Sequence, residues 1–371
     1  MESYLAFQYI GLHTKGRARE TEPKPRSRRY RGEQSRGRNR GEAESSISAM
    51  ACRFVLVLVL AVAVLLAPSS CFAADELLVP LPETAAPALT FGEGYTQLFG
   101  DSNLRLHGDG RRVHISLDER TGSGFASQAA HLHGFFGASI KLPSDHTAGV
   151  VVAFYMSNGD VYEKTHDELD FEFLGNVRGR EWRVQTNVYG DGSTAVGREE
   201  RYGLWFDPTE DFHRYAIRWT NRTIMFYIDD TPIREVVRSE RMGAQFPSKP
   251  MSLYATIWDG SSWATSGGRY KVDYKYAPYV AQFADLQLQP EPDHDAGEMT
   301  MSPARRAAME RVRARYMTYG YCYDRARYPA PLPECSVGAE AAMYLPSGEA
   351  RSWDRRRRGR RHRRAGADFA L

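Results

Sequence analysis

Cysteine is scarce in this chain, with four among 371 residues. Cys52 and Cys71 flank an apolar run, and Cys322 and Cys335 stand near the other end with no second Cys or His pair close by. That isolation argues against the competing reading of a metal site, because a structural zinc takes four such ligands. Long apolar runs are missing as well. The uninterrupted stretch 54–67 is too short to cross a bilayer, which takes about 20 apolar residues. Helical periodicity is absent from residues 91–288, which sets helical architectures aside. Strong net charge is lacking too, but the value of +3 hides an asymmetry. Residues 1–73 carry 12 basic and 6 acidic side chains, residues 351–371 carry nine Arg and two Asp, and 28 basic face 38 acidic side chains between them. The body is acidic and the ends are basic, so whole-chain charge gives no argument for nucleic acid.

Residues 1–49 are polar, Arg-rich and without periodicity, and cannot build a core of their own. Met50, Arg53, the apolar run and the small residues around Cys71 and Ala73 have the layout of a secretory signal. The reading is therefore a leader over 1–49, non-native or disordered, and a signal over 50–73, with Met50 as the natural start. A type II anchor or a basic nuclear tag is the alternative. A cleaved signal leaves no stable membrane insertion and delivers the chain to an oxidising compartment. There Cys322 and Cys335 can close a small loop, which the chain-entropy estimate values at about 3 kcal/mol.

The sequence from 91 to 288 is a succession of short alternating segments separated by turn residues. Strands are predicted at 103–107, 113–117, 138–142, 150–156, 183–189, 215–219, 224–229, 251–258 and 270–277. A hairpin is predicted to turn at 157–160, where Asn158-Gly159 is a tight-turn signal, and to return as the strand 168–173. Ten or so strands of this kind imply an all-β fold, a jelly-roll sandwich of two antiparallel sheets over 80–290. Ala307, Met309, Val312 and Tyr316 then suggest a helix within 301–317, so 291–345 reads as a disulfide-linked C-terminal extension packed on the sandwich. Residues 346–371 read as a basic disordered tail whose Arg355–Arg364 cluster suits acidic polysaccharide or simply solvent. Asn221-Arg222-Thr223 is an N-glycosylation sequon at an expected turn.

The chemistry is concentrated in His166-Asp167-Glu168-Leu169-Asp170-Phe171-Glu172-Phe173. Side chains alternate along a strand, so Glu168, Asp170 and Glu172 share one face and Leu169, Phe171 and Phe173 the other. Like charges stacked on one face repel, so a row of three carboxylates implies a task. Paired carboxyls suit glycoside chemistry, in which one protonates the leaving oxygen and the other attacks the sugar or activates water. The Cα atoms of Glu168 and Glu172 lie roughly 13 Å apart on an ideal strand. Side chains leaning together over a curved sheet bring the carboxyls within about 5.5 Å, the separation of a retaining enzyme. The alternative use of the row, holding Ca²⁺, needs six or more oxygens from a bending loop, which a regular strand presents poorly. Gln185 and Asn187 fit the same outer face, and Trp258 and Trp263, around Asp259-Gly260-Ser261-Ser262, suit stacking on sugars as well as core packing.

The segment His166–Gly175 resembles the signature of plant xyloglucan endotransglucosylase/hydrolases, a jelly-roll glycoside hydrolase family. The resemblance extends to Thr121-Gly122-Ser123-Gly124-Phe125, to residues 148–155, to Gln185-Thr186-Asn187-Val188-Tyr189, to residues 204–209 and to residues 258–265, and covers about 85–340. It implies that Glu168 is the nucleophile, Glu172 the general acid/base and Asp170 an auxiliary acid. It also implies that His166, Gln185, Asn187, Trp258, Asp259, Gly260 and Trp263 line a concave glucan cleft. No cofactor or metal is expected. The implied protein is a secreted monomer of the cell wall and apoplast whose partners are xyloglucan donor and acceptor chains. Two departures, the sequon placed at Asn221 and the single available Cys pair, resemble a divergent subgroup with an Arg-rich C-terminus.

Overall fold

In the computed structural model the described residues are 81, 86–290 and 301–351. The leader, the signal segment and the Arg355–Arg364 cluster lie outside them.

A one-turn helix, α1 (Phe91–Gly94), leads into the strands. They are β1 (Tyr95–Phe99), β2 (Leu104–His107), β3 (Arg112–Leu117), β4 (Ser123–Ser127), β5 (Gly134–Lys141), β6 (Val150–Ser157), β7 (Glu168–Leu174) and β8 (Arg183–Tyr189). These are followed by β9 (Glu200–Gly203), β10 (His213–Trp219), β11 (Thr223–Ile228), β12 (Thr231–Val237), β13 (Ser252–Asp259) and β14 (Tyr279–Pro290). After the helix α2 (Pro303–Tyr316) come β15 (Met317–Asp324) and β16 (Ser347–Glu349). One antiparallel sheet runs β1-β4-β13-β6-β7-β8-β9-β15-β16 and the other β12-β11-β10-β5-β14-β3-β2. This is the expected jelly-roll sandwich.

The inner face of β7 shows what joins the layers. Leu169, Phe171 and Phe173 are fully buried in the core. Phe171 stands edge-on to Phe226 of β11 at 5.2 Å, and Phe173 edge-on to Tyr215 of β10 at 4.7 Å. Each such aromatic is worth about 1.5–3 kcal/mol by burial, with a further 0.5–1.5 kcal/mol from edge-to-face geometry.

Three sequence expectations are revised. Residues 270–277 do not form a strand: Tyr270 makes one bridge to Thr265, and Tyr274–Tyr276 is a 3-10 turn capped by Asp273. The strand begins beyond Pro278, as β14, because proline has no N–H for a ladder. The tight hairpin before β7 is instead a loop over 158–167. Asn158 closes it, its side chain accepting from Asp167 N at 2.8 Å and donating to Pro250 O at 3.0 Å. The C-terminal extension does more than pack against the sandwich, since β15 joins the nine-stranded sheet beside β9. Within it, α2 buries Ala308, Met309 and Val312, one residue offset at its first position from the expected stripe, and Ser302 caps its start.

A buried ionic cluster ties the extension to the sandwich. Glu200 on β9 receives a bidentate pair of bonds from Arg313 of α2, at 2.6 and 2.7 Å, and a bond from Tyr202. Arg234, reaching across from β12, donates to Thr186 O and Oγ1 at 3.1 and 2.9 Å with its Nε 3.7 Å from Glu200. Burial alone would push the Glu200 carboxyl up, but the two guanidinium groups outweigh it and bring it down to about 2. A folded-state value below the unfolded one stabilises the fold above the ordinary carboxylate range and loses that contribution as pH falls toward 2. Arg313→Ala is expected to lower unfolding stability by about 3 kcal/mol, because buried Glu200 loses its bidentate partner and keeps only Tyr202 and the more distant Arg234. Urea unfolding at pH 7 checks this, and a loss below about 1 kcal/mol would contradict it.

Candidate active site

Strand register turns the linear motif into a grid. Glu168 lies opposite Ser157 of β6 and Tyr189 of β8, Asp170 opposite Tyr155 and Asn187, and Glu172 opposite Ala153 and Gln185. Extending the rows across β13 and β9 adds Tyr254 beside Tyr155, Thr256 beside Ala153 and Arg201 beside Gln185. The acids therefore form a column down the centre of a patch, flanked by tyrosines on one side and amides on the other. Although this face points away from the core, Glu168, Asp170 and Glu172 are only 7%, 1% and 2% exposed, so the column forms the floor of a recess.

Burial and crowding set the protonation of the column. The Glu172 carboxyl is raised to about 7, first by burial and then by the negative charges of Glu199 and Glu168, against the Gln185 hydrogen bond and Arg201. Gln185 Nε2 donates to Glu172 Oε2, and Gln185 Oε1 accepts from Arg201 Nε at 2.6 Å. Glu172 Oε1 is buried without a hydrogen-bond partner among the described residues. Asp170 is raised well above the carboxylate range by burial and then by Glu168 and Glu172, with Arg234 behind the sheet pulling the other way. Both of its carboxylate oxygens are buried without a hydrogen-bond partner among the described residues. Two of the three carboxyls thus keep their protons well above the ordinary carboxylate range.

The remaining expected residues fall into two groups. His166 is half-buried at the head of the column, edge-on to Tyr189 with ring centroids 6.4 Å apart. Asn187 Oδ1 accepts from Arg198 N at 2.9 Å. Trp258 shares the acid face one row beyond Glu172, where β13 pairs with Val151, and its ring lies 6.0 Å from that of Trp263. Asp259 and Gly260 build the loop that carries this pair. Asp259 accepts from Tyr274 OH at 2.7 Å and from Ser261 N at 2.8 Å. A Cβ on Gly260 would come within 2.5 Å of Val151 Cγ2, so only glycine fits there. Asn221 lies away from the recess, exposed at the turn between β10 and β11. Cys322 and Cys335 are joined as a disulfide with Cα atoms 5.5 Å apart. Among the described residues no group of three or more His, Cys, Asp or Glu is arranged to hold a metal ion.

The model of glycosyl hydrolases family 16 matches residues 91–276, and that of the xyloglucan endo-transglycosylase C-terminus matches residues 290–335. The probable xyloglucan endotransglucosylase/hydrolase protein 27 of Arabidopsis thaliana is 61% identical over 274 residues, covering 70% of this chain and 82% of that protein. This chain belongs to the xyloglucan endotransglucosylase/hydrolase family. Protein 28 of the same plant, also described as probable, is 59% identical over 276 residues, again 70% of this chain and 82% of that protein. A solved Bacillus licheniformis beta-glucanase is 21% identical with a TM-score of 0.44, covering 54% of this chain and 92% of its own.

Within this family member, several residues of the recess escaped the sequence reading. Tyr155 and Tyr254 stack at 5.1 Å across β6 and β13, and Tyr155 faces Asp170. The period-2 spacing that revealed the acids also marks Ala153, Tyr155 and Ser157 as one face, a signal available once β6 is paired with β7. Asp167 is the other omission. It is fully buried and accepts from Asp191 N, Ser248 N, Lys249 N and Lys249 Nζ at 2.8–2.9 Å, pinning the start of β7 to two loops.

A carboxyl whose folded-state value is raised binds more protons folded than unfolded, so stability falls as pH rises from about 4.5 through about 7. Glu172→Gln is expected to flatten that part of the profile and to exceed the parent by about 1–3 kcal/mol at pH 8. Urea unfolding from pH 5 to pH 8 checks it, and an unchanged slope would contradict the assignment.

Proposed function

We propose that this chain is a retaining, endo-acting xyloglucan:xyloglucosyl transferase that cleaves the β-1,4-glucan backbone of xyloglucan and rejoins it to another chain. The observation carrying this reading is the column itself, in which a carboxyl raised to about 7 stands on the same strand face as Glu168, with Asp170 between them. In the first step the Glu172 carboxylic acid gives its proton to the glycosidic oxygen while the Glu168 carboxylate attacks the anomeric carbon. The carbon–oxygen bond breaks, the reducing-end fragment leaves as an alcohol, and a glycosyl ester on Glu168 remains. In the second step the Glu172 carboxylate takes the proton of an acceptor 4-hydroxyl, that oxygen attacks the anomeric carbon, and Glu168 is released as carboxylate. Asp170, kept neutral by burial, spares Glu168 a second negative charge beside it and so tunes the nucleophile.

Gln185, Asn187 and His166 border the column and suit contacts to sugar hydroxyls near the scissile bond, while Trp258 and Trp263 offer a stacking platform one row further on. Water competes with the acceptor hydroxyl for the ester, and transfer prevails when a bound second chain raises the effective concentration of that hydroxyl. The protein acts as a monomer in the cell wall and apoplast after removal of residues 50–73, without cofactor or metal. Its disulfide suits that oxidising setting. Asn221 carries a glycan there, and the Arg355–Arg364 cluster meets acidic polysaccharide.

The test incubates the protein with xyloglucan and labelled xyloglucan oligosaccharide and compares label incorporated into polymer with new reducing ends. Incorporation should exceed new ends in the parent. Glu168→Gln should lose both activities by at least about 10³-fold while still binding xyloglucan. Activity retained in that variant would overturn the assignment of Glu168.

A further inference from the structure

A buried ion pair that takes no part in the proposed chemistry connects the C-terminal extension to the acid column. Arg198 lies in the loop between β8 and β9, and its side chain is fully buried; the Glu334 side chain is 3% exposed. Arg198 Nε donates to Glu334 Oε1, and Nη2 donates to Gln245 Oε1. Tyr321 OH donates to the same Glu334 oxygen at 3.3 Å. Glu334 immediately precedes Cys335, whose bond to Cys322 fastens this carboxylate to β15. Two residues 136 positions apart are thus held together in a buried site, with the disulfide fastening Glu334 on one side and Gln245 holding Arg198 on the other.

The consequence reaches the column through one backbone group. The N–H of Arg198 donates to Asn187 Oδ1 at 2.9 Å, and Asn187 lies opposite Asp170 on the neighbouring strand. With its oxygen engaged, the Asn187 amide is fixed one way round and its NH₂ is the end left for the recess. Tyr189, two residues further along the same strand face, lies opposite Glu168 and edge-on to His166. Asn187 on this flank is therefore one end of a hydrogen-bonded series that runs through Arg198 to Glu334.

We propose that Glu334 is a positioning residue for glycosyl transfer: through the side chain of Arg198 it holds the loop whose backbone N–H orients Asn187 against Asp170. This rests on the function proposed above. A guanidinium left in that site without its carboxylate seeks water or another acceptor and drags the loop with it. Asn187 then loses its fixed orientation, and the transition state loses a donor in a preformed position. Ground-state binding of a long glucan, spread over many contacts, changes little.

The test is a double-mutant cycle on the full chain with Glu334→Gln and Asn187→Ala, reading transfer kcat, KM for the donor and melting temperature. Glu334→Gln should lower kcat about tenfold with KM within about twofold, and in the Asn187→Ala background it should lower kcat by less than about twofold. Independent, multiplicative losses, or an unchanged kcat in folded Glu334→Gln, would overturn the proposal. If Glu334→Gln does not fold, Tyr321→Phe removes one hydrogen bond from the same oxygen. It should reduce kcat about two- to fivefold, and only when Asn187 is present. No loss, or a loss of equal size without Asn187, overturns the proposal by that route too. A parent protein inactive in the labelled-acceptor assay would contradict the function, whereas an active parent with multiplicative losses contradicts only the role of Glu334.

Discussion

Three carboxylates are held out of water on one side of a strand whose other side is aromatic core, and the rest of the molecule is arranged to make that tolerable. The arrangement is costly in isolation, because buried like charges repel and lose their hydration. The core face of β7 anchors it: Leu169, Phe171 and Phe173 are fully buried and interlock with the opposite sheet. Sliding β7 by one residue would put these side chains in the recess and the acids in the core, so the register admits no near alternative. Asp167, accepting four hydrogen bonds at the start of the strand, fixes where the alternation begins.

Electrostatic compensation comes from two directions. Within the recess, Gln185 bridges Glu172 and Arg201, so the carboxyl proposed to carry the proton is held by a neutral donor instead of a direct ion pair. A direct Arg–carboxylate bond would hold Glu172 ionised, whereas an amide leaves it near 7. From behind the sheet, Arg234 sits in the sandwich interior, bonded to Thr186 and close to Glu200, and its positive charge opposes the rise of Asp170. The C-terminal extension enters both arrangements. Arg313 of α2 neutralises Glu200, and Glu334 of the disulfide loop neutralises Arg198. The extension is therefore continuous with the machinery of the recess.

The acid column, its core-facing partner residues, the strand that carries Gln185 and Asn187, and the Cys pair were all legible in the sequence, because period-2 alternation and turn chemistry are local signals. What escaped was set by long-range pairing. Strand β4 is Ser-Gly-Phe-Ala-Ser, without the bulky alternation that marks a strand, yet it is fully buried because Gly124 lets Phe99 and the backbone of Ala255 approach. Strand β15 looked like part of an appendage, since nothing in Met-Thr-Tyr-Gly-Tyr-Cys-Tyr-Asp announces that it will pair with β9. The pairing of Arg198 with Glu334 depends on that placement and was invisible for the same reason. The loop 158–167 misled because Asn-Gly usually signals a two-residue turn, whereas here the Asn158 side chain closes a longer one.

The central claim is that Glu168 is the nucleophile of a retaining reaction and Glu172 its proton carrier. The most direct measurement quenches the protein in acid during turnover of xyloglucan and locates any glycosyl ester by mass spectrometry of the digested peptides. The account predicts an adduct on the peptide containing Glu168, assigned to that residue by fragmentation, which disappears on adding acceptor oligosaccharide before the quench. An adduct on Glu172, or active turnover with no covalent species under conditions that trap glycosyl esters, would contradict it.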